Sequence, residues 1–171
     1  MNILTKEECL NILNNNKTPS KVILHSKAVC KVAEKIADSL IKRKIKINKK
    51  LVIAAAMLHD VERGRDKHVA MGIKLLKNLG YPEVANVVKK HSLYKLEVKN
   101  RQPATWEEKI VFYADKRCVG NKVVSVEERF GTLEKYYKVN LSKELKFTKN
   151  IEKELLENKK YKLCIKIKLK K

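Results

Sequence analysis

The amino-acid sequence predicts an all-α protein, a single-domain helical bundle, on three observations. Apolar residues recur at helical spacing along most of the first 120 residues. Capping residues divide this stretch into separate helices. The alternation of apolar and polar residues that is typical of a half-buried strand is almost absent before residue 160. A chain of 171 residues can bury one hydrophobic core and does not require a second.

Two helices are predicted in the first quarter of the chain. Thr5 and Glu8 form a capping box, which opens a short helix that runs to about residue 14. A long amphipathic helix follows to about residue 42, with Thr18 as its expected cap and Pro19 at its first position. His25 falls on the apolar side of this second helix.

The third and fourth helices flank a cluster of charges. Asn48 is the expected cap of the third helix, which carries His59 on its apolar side and ends near Gly64. Asp66 is the expected cap of the fourth helix. The side of the fourth helix that we expect to face the core carries His68, Met71, Leu75 and Leu79.

The fifth and sixth helices also carry polar residues on apolar sides. Pro82 begins the fifth helix, and His91 continues its apolar stripe. Thr105 and Glu108 form a second capping box, and the helix that follows carries Asp115 among apolar residues.

The helical pattern is weaker beyond residue 121. Ser125 is the expected cap of one helix, and Ser142 to Asn158 has the pattern of a surface helix. The end of the chain, KYKLCIKIKLKK, alternates apolar residues with lysine, which is typical of an edge strand or a basic tail. We therefore expect residues 1–140 to form the helical domain and residues 141–171 to form a C-terminal helix and tail of the same domain.

The composition is strongly basic. Lys and Arg total 40 against 19 acidic residues, a net charge of +21, which attracts anionic substrates. The charge is spread along the whole chain, so solvated surface lysines are a better interpretation than a dedicated nucleic-acid surface, although nucleic acid stays an alternative partner. No stretch approaches the roughly 20 apolar residues that cross a bilayer, and the first residues lack the pattern of a signal peptide. We expect a cytoplasmic protein without a membrane partner.

Six ionisable residues fall on sides that should face the core. A single histidine in such a position is usually a hydrogen-bonded core residue, but six groups without partners would cost several kcal/mol, at about 1–3 kcal/mol each. A divalent metal would remove this cost, and imidazole and carboxylate ligands suit Mn, Fe, Mg, Ni, Co or Zn. The six residues are His25, His59, Asp60, His68, His91 and Asp115.

The order of these residues resembles the HD superfamily of metal-dependent phosphohydrolases, whose name comes from the His-Asp doublet. Three stretches look like successive helices of its small HDIG-type members: TPSKVILHSKAVCKVAEKIADSL, AAAMLHDVERGRDKHVAMGIKLLKNLGYPEVANVVKKHS and EEKIVFYADKRC. With VSVEERFGTL, the resemblance covers roughly residues 5–137.

The resemblance implies an HD-type helical bundle with a metal site in its core. One divalent ion would be held by four residues, namely His25, His59, Asp60 and Asp115. His68 and His91 would bind a second ion bridged by Asp60, or would face the phosphate of the substrate. The implied activity is hydrolysis of a nucleotide or another small phosphate ester, by attack of a metal-activated water on phosphorus.

The chain departs from the family pattern directly after the doublet, where many relatives have Ile-Gly followed by lysine. Here the doublet is followed by Val61-Glu62-Arg63-Gly64. Either Arg63, Arg65 or Lys67 replaces the missing lysine as a phosphate contact, or these residues are solvated loop charges. Lys116 and Arg117 either face an anion or line the exposed side of their helix. Glu62 and Asp66, beside Asp60, are candidates to position the attacking water; the alternative is that they are surface carboxylates or, for Asp66, the helix cap.

Two other classes of function stay open at this stage. One is an HD-fold module that binds nucleotide or RNA and keeps its metal for structure. The other is an interaction scaffold on a degenerate HD fold, although none of the four principal ligand positions is missing. The substrate, the metal, the number of ions and the oligomeric state are not predicted by the sequence.

Overall fold

The computed structural model describes residues 4–156, most of which are helical. The helices are α1 (Lys6–Asn15), α2 (Ser20–Lys42), α3 (Lys49–Leu58), α4 (His68–Asn78), α5 (Pro82–Val88), α6 (Trp106–Asp115), α7 (Val126–Tyr137) and α8 (Ser142–Leu156). One 3-10 turn, Lys99–Arg101, lies between α5 and α6. The all-α prediction is confirmed.

Four helices begin at the caps that the sequence predicts. Thr5 at α1 and Thr105 at α6 each form a complete capping box with the glutamate three residues later. The Asn48 side chain accepts a hydrogen bond from the Leu51 amide at the start of α3, and Ser125 does the same for Glu128 in α7. These caps satisfy amide groups that have no partner within the helix.

The predicted caps of α2 and α4 are wrong. No side chain caps α2, and the Thr18 hydroxyl instead donates a hydrogen bond of 2.8 Å to the carbonyl oxygen of Val61. Asp66 is exposed, and the residue before α4 is Lys67, which has a left-handed backbone with φ of 50°. The prediction for α4 fails because α3 ends at Leu58, earlier than predicted, and a series of turns separates the two helices.

The predicted inner side of α4 is wrong at two of its four residues, since His68 and Leu75 are half-buried and Met71 and Leu79 are not. Met71 and Leu79 are 42% and 45% exposed, whereas Gly72 and Leu76 are buried. A Cβ atom added to Gly72 would lie 3.3 Å from the Cγ1 atom of Val61, so α4 packs closely against the turn after the doublet at this point. A pattern based on apolar side chains does not detect a face whose close contact is made by glycine.

One small element was not predicted. Strands β1 (Cys118–Val119) and β2 (Lys122–Val123) form an antiparallel hairpin, in which Gly120 has φ of 55°. Two residues per strand are too few to produce a detectable alternation in the sequence.

The core lies where α2, α3 and α6 pack together. Their buried residues are mainly small and aliphatic, such as Ala33, Ala55 and Ala114, which allows close approach of the helices. The longest described helix, α2, has 23 residues, and none of the helices within residues 4–156 combines the length and hydropathy that crossing a bilayer requires.

Helix α8 packs against α6 and α7, and its buried residues are Thr148, Ile151 and Leu155. Arg43, at the end of α2, donates a hydrogen bond of 2.8 Å to the carbonyl oxygen of Leu155. The predicted end of this helix at Asn158 and the predicted strand or tail lie outside the described residues. The assignment of residues 141–171 to the same domain stays a prediction.

Replacing Leu155 by Ala should lower the free energy of unfolding by about 2–5 kcal/mol, because this side chain is fully buried. Leu24→Ala is the matched control, since Leu24 is 51% exposed and its loss should change stability by at most about 0.5 kcal/mol. Urea denaturation of both variants measures the difference. Equal effects would show that α8 contributes little to the stability of the fold.

Candidate metal centre

Five helices bring the six predicted core residues to one place. His25 lies on α2, and Asp115 is the last residue of α6. His59 and Asp60 follow the end of α3, where the chain has left the helix, so both side chains can turn towards the same point. His68 begins α4, and His91 comes three residues after the end of α5.

The tightest group in this cluster consists of His25, His59 and Asp115. Each offers one ligand atom, and these atoms all lie within 4.8 Å of one another. The Oδ1 atom of Asp115 lies 3.1 Å from Nε2 of His25 and 3.7 Å from Nε2 of His59. The two imidazoles therefore approach the same carboxylate oxygen from different helices.

Asp60 borders this group and joins it to the other two histidines. Its Oδ2 atom lies 3.7 Å from Nε2 of His59. Its Oδ1 atom lies 3.6 Å from Nε2 of His68 and 3.6 Å from Nε2 of His91. Asp60 is thus placed between the two sets of imidazoles.

The main chain orients three of the four imidazoles. The Nδ1 atoms of His25, His59 and His91 donate hydrogen bonds to the carbonyl oxygens of Gly120, Ala56 and Val88, at 2.8, 2.9 and 2.7 Å. A carbonyl oxygen can only accept, so the proton is on Nδ1 and the lone pair of Nε2 faces the cluster. This arrangement is the usual support of a metal-binding histidine.

Unpartnered atoms in the cluster fit a metal ion. Nε2 of His59 and Oδ1 of Asp60 are buried and have no hydrogen-bond partner within residues 4–156. A buried polar group without a partner costs about 1–3 kcal/mol. Both atoms are ligand types that divalent metals accept, so the residues present fit the metal that the sequence predicts.

The two carboxylates stay ionised inside the protein. Burial alone would raise the pKa of Asp115, but Lys116, His25 and His59 outweigh it and hold this pKa well below its ordinary value. Burial also acts to raise the pKa of Asp60, and His59 and His91 reverse the effect, so the pKa is lowered. Both groups are therefore available as anionic ligands.

Burial and the carboxylates act oppositely on the basic groups. Burial lowers the pKa of His59, but Asp60 and Asp115 outweigh it, and the pKa is raised overall. For His68, burial and nearby positive groups prevail over Asp60, so its pKa is lowered. The buried Lys116 ammonium donates to Oδ2 of Asp115 at 2.6 Å and to the carbonyl oxygen of His91 at 2.8 Å, and burial lowers its pKa.

A cavity of about 510 Å³ opens beside the cluster. Asp60, His68, His91 and Asp115 contribute to its lining. Three cationic residues, Arg63, Lys116 and Arg129, also line it, together with apolar side chains such as Leu133 and Val139.

Comparison with known proteins identifies the fold that holds this site. A family model described as HD domain matches residues 22–119, which include all six clustered residues. The chain belongs to the HD domain family. No solved structure shows significant similarity to it.

Two curated relatives of this HD domain chain come from archaea. A protein of Picrophilus torridus named tRNA (cytidine(56)-2'-O)-methyltransferase is 29% identical over 150 residues, which cover 80% of this chain and 42% of that protein. An uncharacterized protein of Methanocaldococcus jannaschii is 30% identical over 143 residues, which cover 75% of this chain and 84% of that protein. The HD domain chain thus spans less than half the length of the first relative.

The charged residues after the doublet of the HD domain lie in different places. Arg63 reaches the cavity, with Nη1 3.6 Å from Oδ2 of Asp60. Arg65 pairs at 2.9 Å with the buried Glu62, and neither belongs to the described lining of the cavity. Asp66 is exposed, and Lys67 lines a neighbouring cavity.

Of the two alternatives for Lys116 and Arg117, the exposed side of their helix is wrong, because they are 3% and 8% exposed. Lys116 lines the cavity of the HD domain. Arg117 donates from Nε to the carbonyl oxygen of Val124 and from Nη1 to the hydroxyl of Tyr113, both at 2.6 Å. These two hydrogen bonds hold Arg117 between α6 and the residue that follows β2. Arg117 is not among the described residues that line the cavity.

Sequence reasoning missed Arg129, which lines the cavity from α7. Its Nη2 atom lies 4.0 Å from Oδ1 of Asp115, and its Nε atom is buried without a partner within the described part of the chain. The only signal was its position next to the apolar Phe130 in the amphipathic helix VEERFGTLEKYY. Charge next to an apolar residue is too common on amphipathic helices to single it out.

Divalent metal should raise the melting temperature of the HD domain more at about pH 8 than at about pH 6. The raised pKa of His59 stabilises the metal-free protein below the unfolded-state pKa, and this contribution is lost as the pH rises through the folded-state pKa. A metal needs the neutral imidazole, so protons compete with it at low pH. Thermal melts with Mn²⁺ and with EDTA at both pH values measure the difference. A rise that is equal at both values, or retained in His59→Asn, would contradict the proposed ligand.

Proposed function

We propose that the protein is a metal-dependent phosphohydrolase that acts on a nucleotide or another small phosphate ester. HD domains are typically metal-dependent hydrolases, and the matched region includes the whole ligand cluster. The observation that carries the proposal is the cluster itself, in which unpartnered imidazole and carboxylate atoms border a cavity with a cationic lining.

His25, His59, Asp60 and Asp115 would hold one divalent ion, and His68 and His91 would hold a second ion or contact the phosphate of the substrate. When bound, a divalent metal polarises a phosphoryl group and lowers the pKa of a water molecule towards neutrality. Asp60 is the residue best placed to serve both sets of imidazoles, since its two oxygens face different histidines.

Cationic side chains would bind and orient the phosphate. Arg63 and Arg129 line the cavity from distant parts of the chain. A guanidinium can donate hydrogen bonds to two phosphate oxygens at once. Lys116 has a different role, because its ammonium is already bound by Asp115 and by the carbonyl oxygen of His91. It would position Asp115 rather than contact the substrate.

The rest of the cavity would hold the organic part of the substrate. Leu93, Leu133, Tyr137, Val139 and Leu141 give it apolar surface. A volume of about 510 Å³ falls within the range of pockets that bind small molecules, roughly 300–1,000 Å³. Base or sugar could pack on this surface while the phosphate faces the cations.

A second candidate is a nucleotide- or RNA-binding module whose metal serves only structure. It is favoured by the similarity to a relative named as a tRNA methyltransferase and by the net charge of +21. RNA binding that weakens steeply with salt, survives chelation and is accompanied by no hydrolysis would support it. Hydrolysis of any member of a panel of mononucleotides, cyclic dinucleotides and aryl phosphates would support the phosphohydrolase over the binding module.

Asp60→Asn should abolish hydrolysis, with a loss of more than about a hundredfold in kcat, because even the outer partners of metal ligands cost roughly 10- to 100-fold. The substitution keeps the size of the side chain and removes its charge. Turnover is measured, and bound metal is determined by elemental analysis, for this variant and for the control Glu7→Gln, which removes an exposed carboxylate on α1. Full activity in Asp60→Asn would contradict the proposed mechanism.

Arg129→Gln should raise KM about tenfold and leave the metal content unchanged. The reason is that a hydrogen bond to a charged group contributes about 1.5–3 kcal/mol, and about 1.4 kcal/mol corresponds to a factor of ten. Steady-state kinetics compare it with Lys31→Gln, which removes one exposed charge on α2. An unchanged KM, or an equal rise in the control, would show that Arg129 does not bind the substrate.

A further inference from the structure

A second cavity, of about 680 Å³, adjoins the one at the metal centre. His68, Ser92 and Tyr94 line both, so the two cavities meet along a shared wall. The first cavity already has room for one small phosphate ester. The second is therefore available to a part of the ligand that extends beyond it.

The second cavity is lined by both cationic and apolar residues. Lys67, Lys89 and Arg101 supply the positive charges, and none of the described residues that line it is acidic. Val69, Ala70 and Ile73, all on α4, supply apolar surface. This combination of positive charge and apolar surface suits a ligand that carries both anionic groups and flat apolar groups.

Tyr94 offers an aromatic ring between the two cavities. It is 62% exposed, so its ring is accessible to a ligand. The guanidinium of Arg101 lies 5.3 Å from the centre of the ring. A stacking surface next to cations is the combination by which proteins bind single-stranded nucleic acid.

The loop that carries Tyr94 and Arg101 is held by its own hydrogen bonds. The Tyr94 amide donates to the hydroxyl of Ser92 at 3.0 Å, and Gln102 donates to the carbonyl oxygen of Leu96 at 2.8 Å. Lys90 donates to the carbonyl oxygen of Asn100. The wall of the second cavity is thus organised before any ligand binds.

We propose that the second cavity is a subsite for the neighbouring nucleotide of a single-stranded oligonucleotide whose reacting phosphate lies at the metal centre. The inference rests on the proposed function and narrows its substrate class. Tyr94 would stack on a base, and Lys89 and Arg101 would contact phosphates of the same strand. A duplex does not fit this role, since its base faces are stacked and closed to Tyr94.

Binding can be tested separately from hydrolysis. A fluorescein-labelled single strand of about six nucleotides, made as RNA and as DNA, is titrated with the full chain in EDTA and followed by anisotropy. The double variant Lys89→Ala with Arg101→Ala should bind about tenfold more weakly. The slope of the logarithm of the binding constant against the logarithm of salt concentration should become less steep by about 1.4, which is about 0.7 for each of the two lost phosphate contacts. Tyr94→Ala should weaken binding at least about fivefold, and Tyr94→Phe should retain it.

The matched control is the double variant Lys27→Ala with Lys31→Ala, which removes two exposed charges on α2. All of the substituted side chains are exposed, so the variants should fold. The proposal is supported if the cavity variants, and not the control, weaken the binding of RNA, of DNA or of both. Comparison of the two probes shows which type of nucleic acid the protein binds. Equal weakening by the control, no effect of Tyr94→Ala, or tighter binding to a duplex would overturn it.

A hydrolysis assay with metal then separates the subsite from the proposed function. If the cavity variants lose activity on the oligonucleotide and keep it on a mononucleotide, both proposals are supported. If mononucleotides are hydrolysed and the oligonucleotide is not preferred, the subsite is wrong and the phosphohydrolase stands. If nothing is hydrolysed but binding depends on Tyr94, Lys89 and Arg101, the phosphohydrolase is wrong and the binding cavity stands.

Discussion

The burial of two neighbouring carboxylates, Asp60 and Asp115, is the constraint on which the rest of the structure depends. Two like charges inside a protein are costly unless positive or metal partners compensate them. Imidazoles from four segments face these carboxylates, and the ammonium of Lys116 is bound to one of them. The bundle can be understood as a frame that brings these compensating groups together from distant parts of the sequence.

The frame places the ligands through close helix packing. Small residues on α2, α3 and α6 let these helices approach one another, so His25, His59 and Asp115 meet although up to 90 residues separate them in sequence. The turn after the doublet is fixed from outside the cluster as well. Asn16 and Thr18 both donate to the carbonyl oxygen of Val61, and Gly72 lets α4 pack on the Val61 side chain. The junction between α1 and α2 thereby holds the segment that carries Asp60.

The sequence predicts the helices well, because they follow from helical periodicity. It also indicates the six central residues, but His59, Asp60 and His91 lie just beyond the ends of α3 and α5, where periodicity no longer applies. Polar residues on apolar stripes are conspicuous when they recur on several helices. The failures occur where periodicity carries no information. The turns from His59 to Lys67 depend on tertiary contacts of Val61, and the β1-β2 hairpin is too short to be detected. Arg129 belongs to the cavity only because of the way α7 lies over it, and helix placement is not encoded in local spacing.

The hydrogen bonds from the imidazoles to main-chain carbonyl oxygens allow the sequence around the metal centre to diverge. His25, His59 and His91 are oriented by carbonyl groups, and every amino acid supplies a carbonyl. Positions 56, 88 and 120 can therefore change without loss of the acceptor, provided that the chain keeps its path. The path of the main chain, rather than particular side chains, maintains the geometry of the centre. A motif search therefore finds few required residue types beyond the ligands themselves.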